Sequence, residues 1–489
     1  MSNENNEIVD KVLSGARWAT GLRLAGQAIS WLSTIIVVRF ISPEDYGLNA
    51  MVEAPLELLA LLCTFGLDLA LVRSKHIEEH ELRSAFGWLL LINGALFLAY
   101  FFGSGLIASY FHEPRLEPRA KVLAFIFLLT PFRVIPNALL DRNLKFKLRA
   151  AVELVAGVCS AVATLLLALW GAGVWALVIG VLINRILLAI ILMILQPWFI
   201  MPSLSFSAAR GMMIFGGKWS LLGVVVLITD KLATLIGAPI LGAEALGIFA
   251  VTFQFALLPL AKLMPVINTI IFPAFSKFQD QPDVAAYYLG RALRIISLGL
   301  FPIMIGLACV SEGFVATVLG ERWSGVILPL ALLSSVMPFR MATSLLRPVL
   351  GSMGRPDLAL KSAVIGFMTL LPLMFIGTHY GVLGMVVALM ISELIVAFVT
   401  IGMSKVVLGT SVTKVAECFS PAIVSSLVMA ACLFGIRALS LNGISLGDLF
   451  IEVALGALVY FLTLRIFYEK LLQESIKLVL GRRNAGYSA

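Results

Sequence analysis

The stretch VWALVIGVLINRILLAIILMIL, residues 174–195, contains a single charge, Arg185, in 22 positions. As a helix rising 1.5 Å per residue it would be about 33 Å long, the thickness of a bilayer's hydrocarbon core. It is not an isolated case. Over all 489 residues, 60% are hydrophobic, 13% are charged and the mean hydropathy is +1.00. Soluble domains carry about 25% charged residues, so this chain has too few charges to coat a water-facing globule of its size. That excludes a soluble enzyme, a nucleic-acid binder and a disordered chain, and leaves an all-α polytopic membrane protein.

The same reading places fourteen spans near 18–38, 46–72, 84–110, 119–140, 150–170, 174–196, 212–238, 245–272, 288–311, 324–346, 358–378, 381–404, 416–438 and 446–468. The first 17 residues are polar and have no small-residue cleavage site after them, so the first span is expected to act as its own insertion signal. With an even number of spans both termini lie on one side. A cytoplasmic N-terminus puts roughly 24 Lys and Arg in inside loops against roughly 7 outside, which predicts cytoplasmic termini and explains the net charge of +8 without nucleic acid. No loop holds a P-loop or a Gly-rich nucleotide fingerprint. The five cysteines lie in or beside apolar runs without a CxxC, so no disulfide frame, metal site or cofactor is expected.

An internal repeat organises the spans. Pro43-Glu44-Asp45-Tyr46-Gly47 after span one corresponds to Ala243-Glu244-Ala245-Leu246-Gly247 after span seven. Pro131-Phe132-Arg133 corresponds to Pro338-Phe339-Arg340, and Gly173-Val174 to Gly381-Val382, a register that sets Asn184-Arg185 against Ser392-Glu393. Two pseudo-symmetric six-helix lobes follow, 1–200 and 201–408, with two additional spans and a cytoplasmic tail in 409–489. Six is even, so the lobes have the same orientation. Transporters built from such repeats bind substrate between the halves and alternate by rocking.

Four strings carry a family resemblance: FISPEDYGL (40–48), GLDLALVR (66–73), PNALLDRNLKFK (136–147) and LGERWSGVILPLALLS (319–334). They resemble the Wzx/WzxC-type polysaccharide exporters of the multidrug/oligosaccharidyl-lipid/polysaccharide (MOP) superfamily, in order along nearly the whole chain. The resemblance implies a MATE-like V-shaped bundle. It also implies alternating-access flipping of undecaprenyl-diphosphate-linked oligosaccharide across the bacterial inner membrane, for exopolysaccharide, capsule or lipopolysaccharide. The implied partners are that glycan, membrane lipids, a polysaccharide polymerase and a chain-length regulator. The alternatives are a multidrug or small-molecule antiporter of the same superfamily and a membrane glycan polymerase or ligase; the chain has no long loop or acidic–histidine constellation for the last.

Ionisable residues inside spans face a cavity or a partner. A diphosphate calls for cations, and Arg23, Arg133, Arg340, Lys231 and Lys262 are the candidates, with Arg133 and Arg340 at matched positions of the two lobes. Each also has a plain structural reading: headgroup snorkelling for Arg23, ion pairs or proline-made helix breaks for Arg133 and Arg340, and a solvated span end for Asp230-Lys231. Glu53 and Glu57 share a helix face, and with Asp68 they are candidates for proton or sodium coupling, or for pairing with Arg23 or Lys262. Glu153, Arg185 and Glu393 are expected to pair with one another, or to gate, across spans five, six and twelve. Trp18, Trp170, Trp175, Trp198, Trp219 and Trp323 are expected in an interfacial belt.

Overall fold

The computed structural model describes residues 32–64, 79–143, 145–198, 201–409, 411–439 and 445–473, with single positions between 18 and 29 and Leu67; for 206–222, 265, 270 and 273 it describes the backbone only. All regular structure among the described residues is helical. After a helical stretch at 32–40, the long helices are α1 Pro43–Ala60, α2 Glu79–Phe102, α3 Leu116–Arg142, α4 Phe146–Leu169, α5 Val174–Leu195 and α6 Phe206–Ser276. They continue with α7 Pro282–Cys309, α8 Ile327–Ser352, α9 Pro356–Thr378, α10 Gly381–Leu408, α11 Val412–Leu439 and α12 Leu446–Phe467. Eleven helical segments among the described residues are long and apolar enough to cross a membrane, so the protein is a multi-pass membrane protein.

One of those eleven, Gly223–Ser276, holds 54 residues. As a single helix it would be about 80 Å long, far more than one bilayer crossing. Gly242 resolves this: its φ of 83° and ψ of −179° break the helix between the two stretches expected to be spans. Only glycine adopts such a conformation readily. Within the span expected over 46–72, the continuous helix α1 stops at Ala60. Helix α1 starts on a Ser42 cap, whose hydroxyl accepts from the Asp45 amide, and gives way to turns at 61–64.

The chain divides into two units, Met1–Gly247 and Ile248–Ala489. In the first, α2 packs on α3, α3 on α5, and α5 on α4. In the second, α7 packs on α8, α8 on α10, and α10 on α9. This is the same order of neighbours at corresponding places. The two additional helices join the second unit, α11 on α7 and α12 on α11. Pro131 and Pro136 lie inside α3, and Pro338 and Pro348 inside α8, without ending either helix. The proline-break reading of the two arginines is therefore set aside. In a packed membrane helix, neighbours tolerate the missing donor.

The repeated turns meet within the first unit. A Cβ on Gly47 would stand 1.7 Å from the Ala243 carbonyl oxygen, and one on Gly247 would stand 1.7 Å from that of Pro43. The helix start at 43–47 thus crosses the segment 243–247 backbone against backbone, each glycine making room for the other. Two tryptophans depart from the expected belt. Trp198 is packed edge-on against Phe86 at 4.6 Å, in a cluster with Val134 and Ile135. Trp323 is wholly buried in the short turn Glu321–Val326, which follows the left-handed Gly320 (φ 97°). Trp18 and Trp170 are exposed, as a belt requires.

Candidate functional site

The first unit collects charges on four helices. Asn49, Glu53 and Glu57 follow one another at four-residue spacing along one face of α1. The Asn49 side chain hydrogen-bonds Glu53, and Lys231 and Arg185 lie within electrostatic reach of the same carboxylate. Lys231 Nζ is 2.9 Å from Glu57 Oε2, with the two side chains 23% and 44% exposed. Cys63, just beyond the end of α1, senses both Arg133 of α3 and Arg185 of α5. Lys231 and Arg185 are therefore gathered around Glu53 and Glu57, and Arg133 comes near Arg185 at Cys63. Tyr100 supports α1 from behind by donating its hydroxyl to the Val52 carbonyl at 2.6 Å. Arg133 and Asp230 are both engaged in polar interactions.

The second unit pairs its matched arginine with a carboxylate. Arg340 of α8 pairs with Glu393 of α10, with 16% and 12% of the side chains exposed. The Arg340 guanidinium also stands 5.8 Å from the Phe253 ring centroid. A ladder of hydroxyls continues from this pair: Thr369 with Ser392 at 3.2 Å, Ser362 with Thr400 at 2.6 Å, and Arg347 Nε donating to Ser362 Oγ at 3.2 Å. These contacts join α8, α9 and α10 through satisfied polar groups, as burial in a low-dielectric interior demands.

Several sequence expectations change. Glu393 takes Arg340 as its partner, and Glu153 takes Arg149 at 2.9 Å, so Glu153, Arg185 and Glu393 do not form the set expected of them. Arg149 also binds Asp141, so it is held by two carboxylates. Glu57 pairs with Lys231, and Lys231 is not a solvated span end. Lys262 is half-buried and makes no ion pair among the described residues. Arg23 and Asp68 lie outside the described residues. Sequence reasoning missed Asn49, Tyr100 and the role of Arg347 in the hydroxyl ladder. Asn49 was within reach, since it stands four residues before Glu53. Among the described residues no group of three or more His, Cys, Asp or Glu is placed to hold a metal ion.

Comparison with known proteins agrees with this architecture. The chain is 26% identical over 407 residues to the lipopolysaccharide biosynthesis protein WzxC of Escherichia coli K12, covering 82% of each chain. Its fold matches the lipid II flippase MurJ in an inward closed conformation with a TM-score of 0.77 at 18% identity, over 93% of this chain and 99% of that one. It also matches an inward-facing multidrug-resistance MATE transporter of the MOP superfamily, with a TM-score of 0.61 at 15% identity, over 81% of this chain and 98% of that one. The fold is thus one that the chain shares with both of these membrane proteins. Residues 36–328, more than half of the chain, match the profile of the family described as polysaccharide biosynthesis protein. The chain belongs to that family.

Proposed function

We propose that the protein is a flippase that moves oligosaccharides linked to a polyprenyl diphosphate across the bacterial inner membrane, with both termini in the cytoplasm. The observation that carries this reading is the group of cations held inside a spanning bundle: Arg185 and Lys231 around Glu53 and Glu57, with Arg133 beside Arg185 at Cys63. A buried charge cluster is expensive in a membrane and is kept where it contacts substrate or ion. Arginine suits a diphosphate because its planar fork stays charged at any physiological pH. WzxC acts in lipopolysaccharide biosynthesis and MurJ flips lipid II, and both fit a phosphate-linked glycan as cargo.

Glu53 is the proposed coupling group, for a proton or for sodium. Neutralising it adds one positive charge to the balance around Arg185 and Lys231. The site would then hold an anionic headgroup more tightly in one state than in the other, which is what a cycle needs. No chemical step is assigned to the protein, and a polymerase and chain-length regulator are its proposed downstream partners.

The test is complementation of a deletion strain. Arg133→Ala and Arg185→Ala are expected to lose polymer export while membrane abundance stays within about twofold of wild type; full export in both variants would remove the cluster from the mechanism. Changed drug susceptibility with intact polymer would favour a multidrug antiporter instead.

A further inference from the structure

A second cationic site lies in the second unit, apart from the intramembrane charges. A cavity of about 560 Å³ opens between the first half of α7 and the start of α11, beside the last residue of α10. On α7 it is lined by Tyr287, Gly290, Arg291 and Arg294, which recur at three- and four-residue spacing and so form one stripe. On α11 the facing stripe is Lys414, Glu417 and Cys418, at the same spacing. Gly290 lets the helices approach: a Cβ there would lie 3.6 Å from Cys418 Sγ.

The chemistry of the lining is mixed in a particular way. Three cations, Arg291, Arg294 and Lys414, face two carboxylates, Asp283 and Glu417. Arg294 hydrogen-bonds Cys418, yet its Nε–H is buried without an acceptor. The remaining wall is aliphatic, from Leu289, Leu293, Leu408 and Val415. The first turns of α7 and α11 and the last turn of α10 all border the cavity, so it lies where spanning helices end. That is the depth of lipid phosphates. A free phosphate would use the cations and leave the aliphatic wall idle, whereas a lipid uses both.

We propose that this cavity binds the headgroup phosphate of an anionic membrane phospholipid, with Arg294 and Lys414 on the phosphate and the leucines against the acyl chains. The site is independent of the flippase reading, because it uses none of the charges assigned to the cargo.

Native mass spectrometry of the full chain, exchanged from detergent into phosphatidylglycerol or phosphatidylcholine, reads occupancy directly. Retention of phosphatidylglycerol but not phosphatidylcholine is expected. Each lost cation should weaken retention about fivefold, taking about 1 kcal/mol per charge. Lys414 is exposed in the first turn of α11, so Lys414→Glu tests the charge without disturbing a packed side chain, and Arg294→Gln tests the buried donor. Equal retention of both lipids, or unchanged retention in Lys414→Glu, would overturn the proposal. Displacement of the lipid by millimolar inorganic diphosphate would assign the site to a soluble phosphate and overturn it equally.

Discussion

The two repeats place an arginine at the same point of corresponding helices and then treat it differently. Arg340 finds a carboxylate, Glu393, one packed helix away. The register that sets Gly173-Val174 against Gly381-Val382 sets Arg185 against Glu393, so in the first unit the corresponding neighbour is a second cation. Cys63 lies within the electrostatic reach of both Arg133 and Arg185. One inverted charge thus separates a closed ion pair, bound into a hydroxyl ladder, from a cationic cluster that shares its carboxylates with a lysine. A closed pair gives specific packing; several cations close together give an anion something to contact. On the proposed function, the second unit's pair is structural and the first unit's cluster contacts substrate.

Breaking the pair should have the largest effect. Glu393→Ala strands Arg340 in a dry interior and should cost about 3–5 kcal/mol, seen as a lower thermal midpoint and lower abundance in membranes. An Arg340→Met, Glu393→Leu double variant should recover most of that loss, since a buried pair is replaced well by packed apolar groups. If the double variant is stable but cannot export polymer, Arg340 touches cargo and the contrast between the units fails.

Making the first unit resemble the second comes next. Arg185→Glu should lose export by about a hundredfold, from the removal of charged hydrogen bonds worth about 2–3 kcal/mol, while abundance changes little. At Gly247 the repeats behave alike rather than differently. Gly247→Ala has no space for its methyl against the Pro43 carbonyl and should destabilise by about 1–3 kcal/mol in a melting assay, as should Gly47→Ala. The smallest effect belongs to Lys231→Ala. Its pair with Glu57 is partly open to the surroundings, so a stability change of about 1 kcal/mol or less is expected.

What could be read in advance follows from how far each signal reaches along the chain. A span is a local property, and from span three onward each apolar run corresponds to helix at its expected place. The end of α1 at Ala60 is less local: Glu53, Pro55 and Glu57 weaken its hydropathy, and turns follow where the apolar run continues. The repeat was legible because its marks, Pro-Phe-Arg and the terminal glycines, survive at nearly constant offset. From it came the matched arginines and the opposite signs of Arg185 and Glu393. The pairing of those charges was not legible. It depends on the rotation of each helix about its axis, and Glu57 meets Lys231 only because α1 and α6 pack together. Trp323 misled for a related reason: a tryptophan at a span end usually faces the interface, but the turn made by Gly320 folds this one inward.

On the proposed function, the cationic cluster of the first unit contacts a diphosphate-linked glycan on its way through the membrane. The most direct measurement is transport of a fluorescent polyprenyl-diphosphate oligosaccharide in proteoliposomes containing only this protein. It is read as the fraction of probe protected from an impermeant quencher. Wild type should equilibrate the probe between leaflets, and Arg133→Ala with Arg185→Ala should hold it on the side where it was added, with protein incorporation equal. Equilibration by the double variant at the wild-type rate would contradict the account.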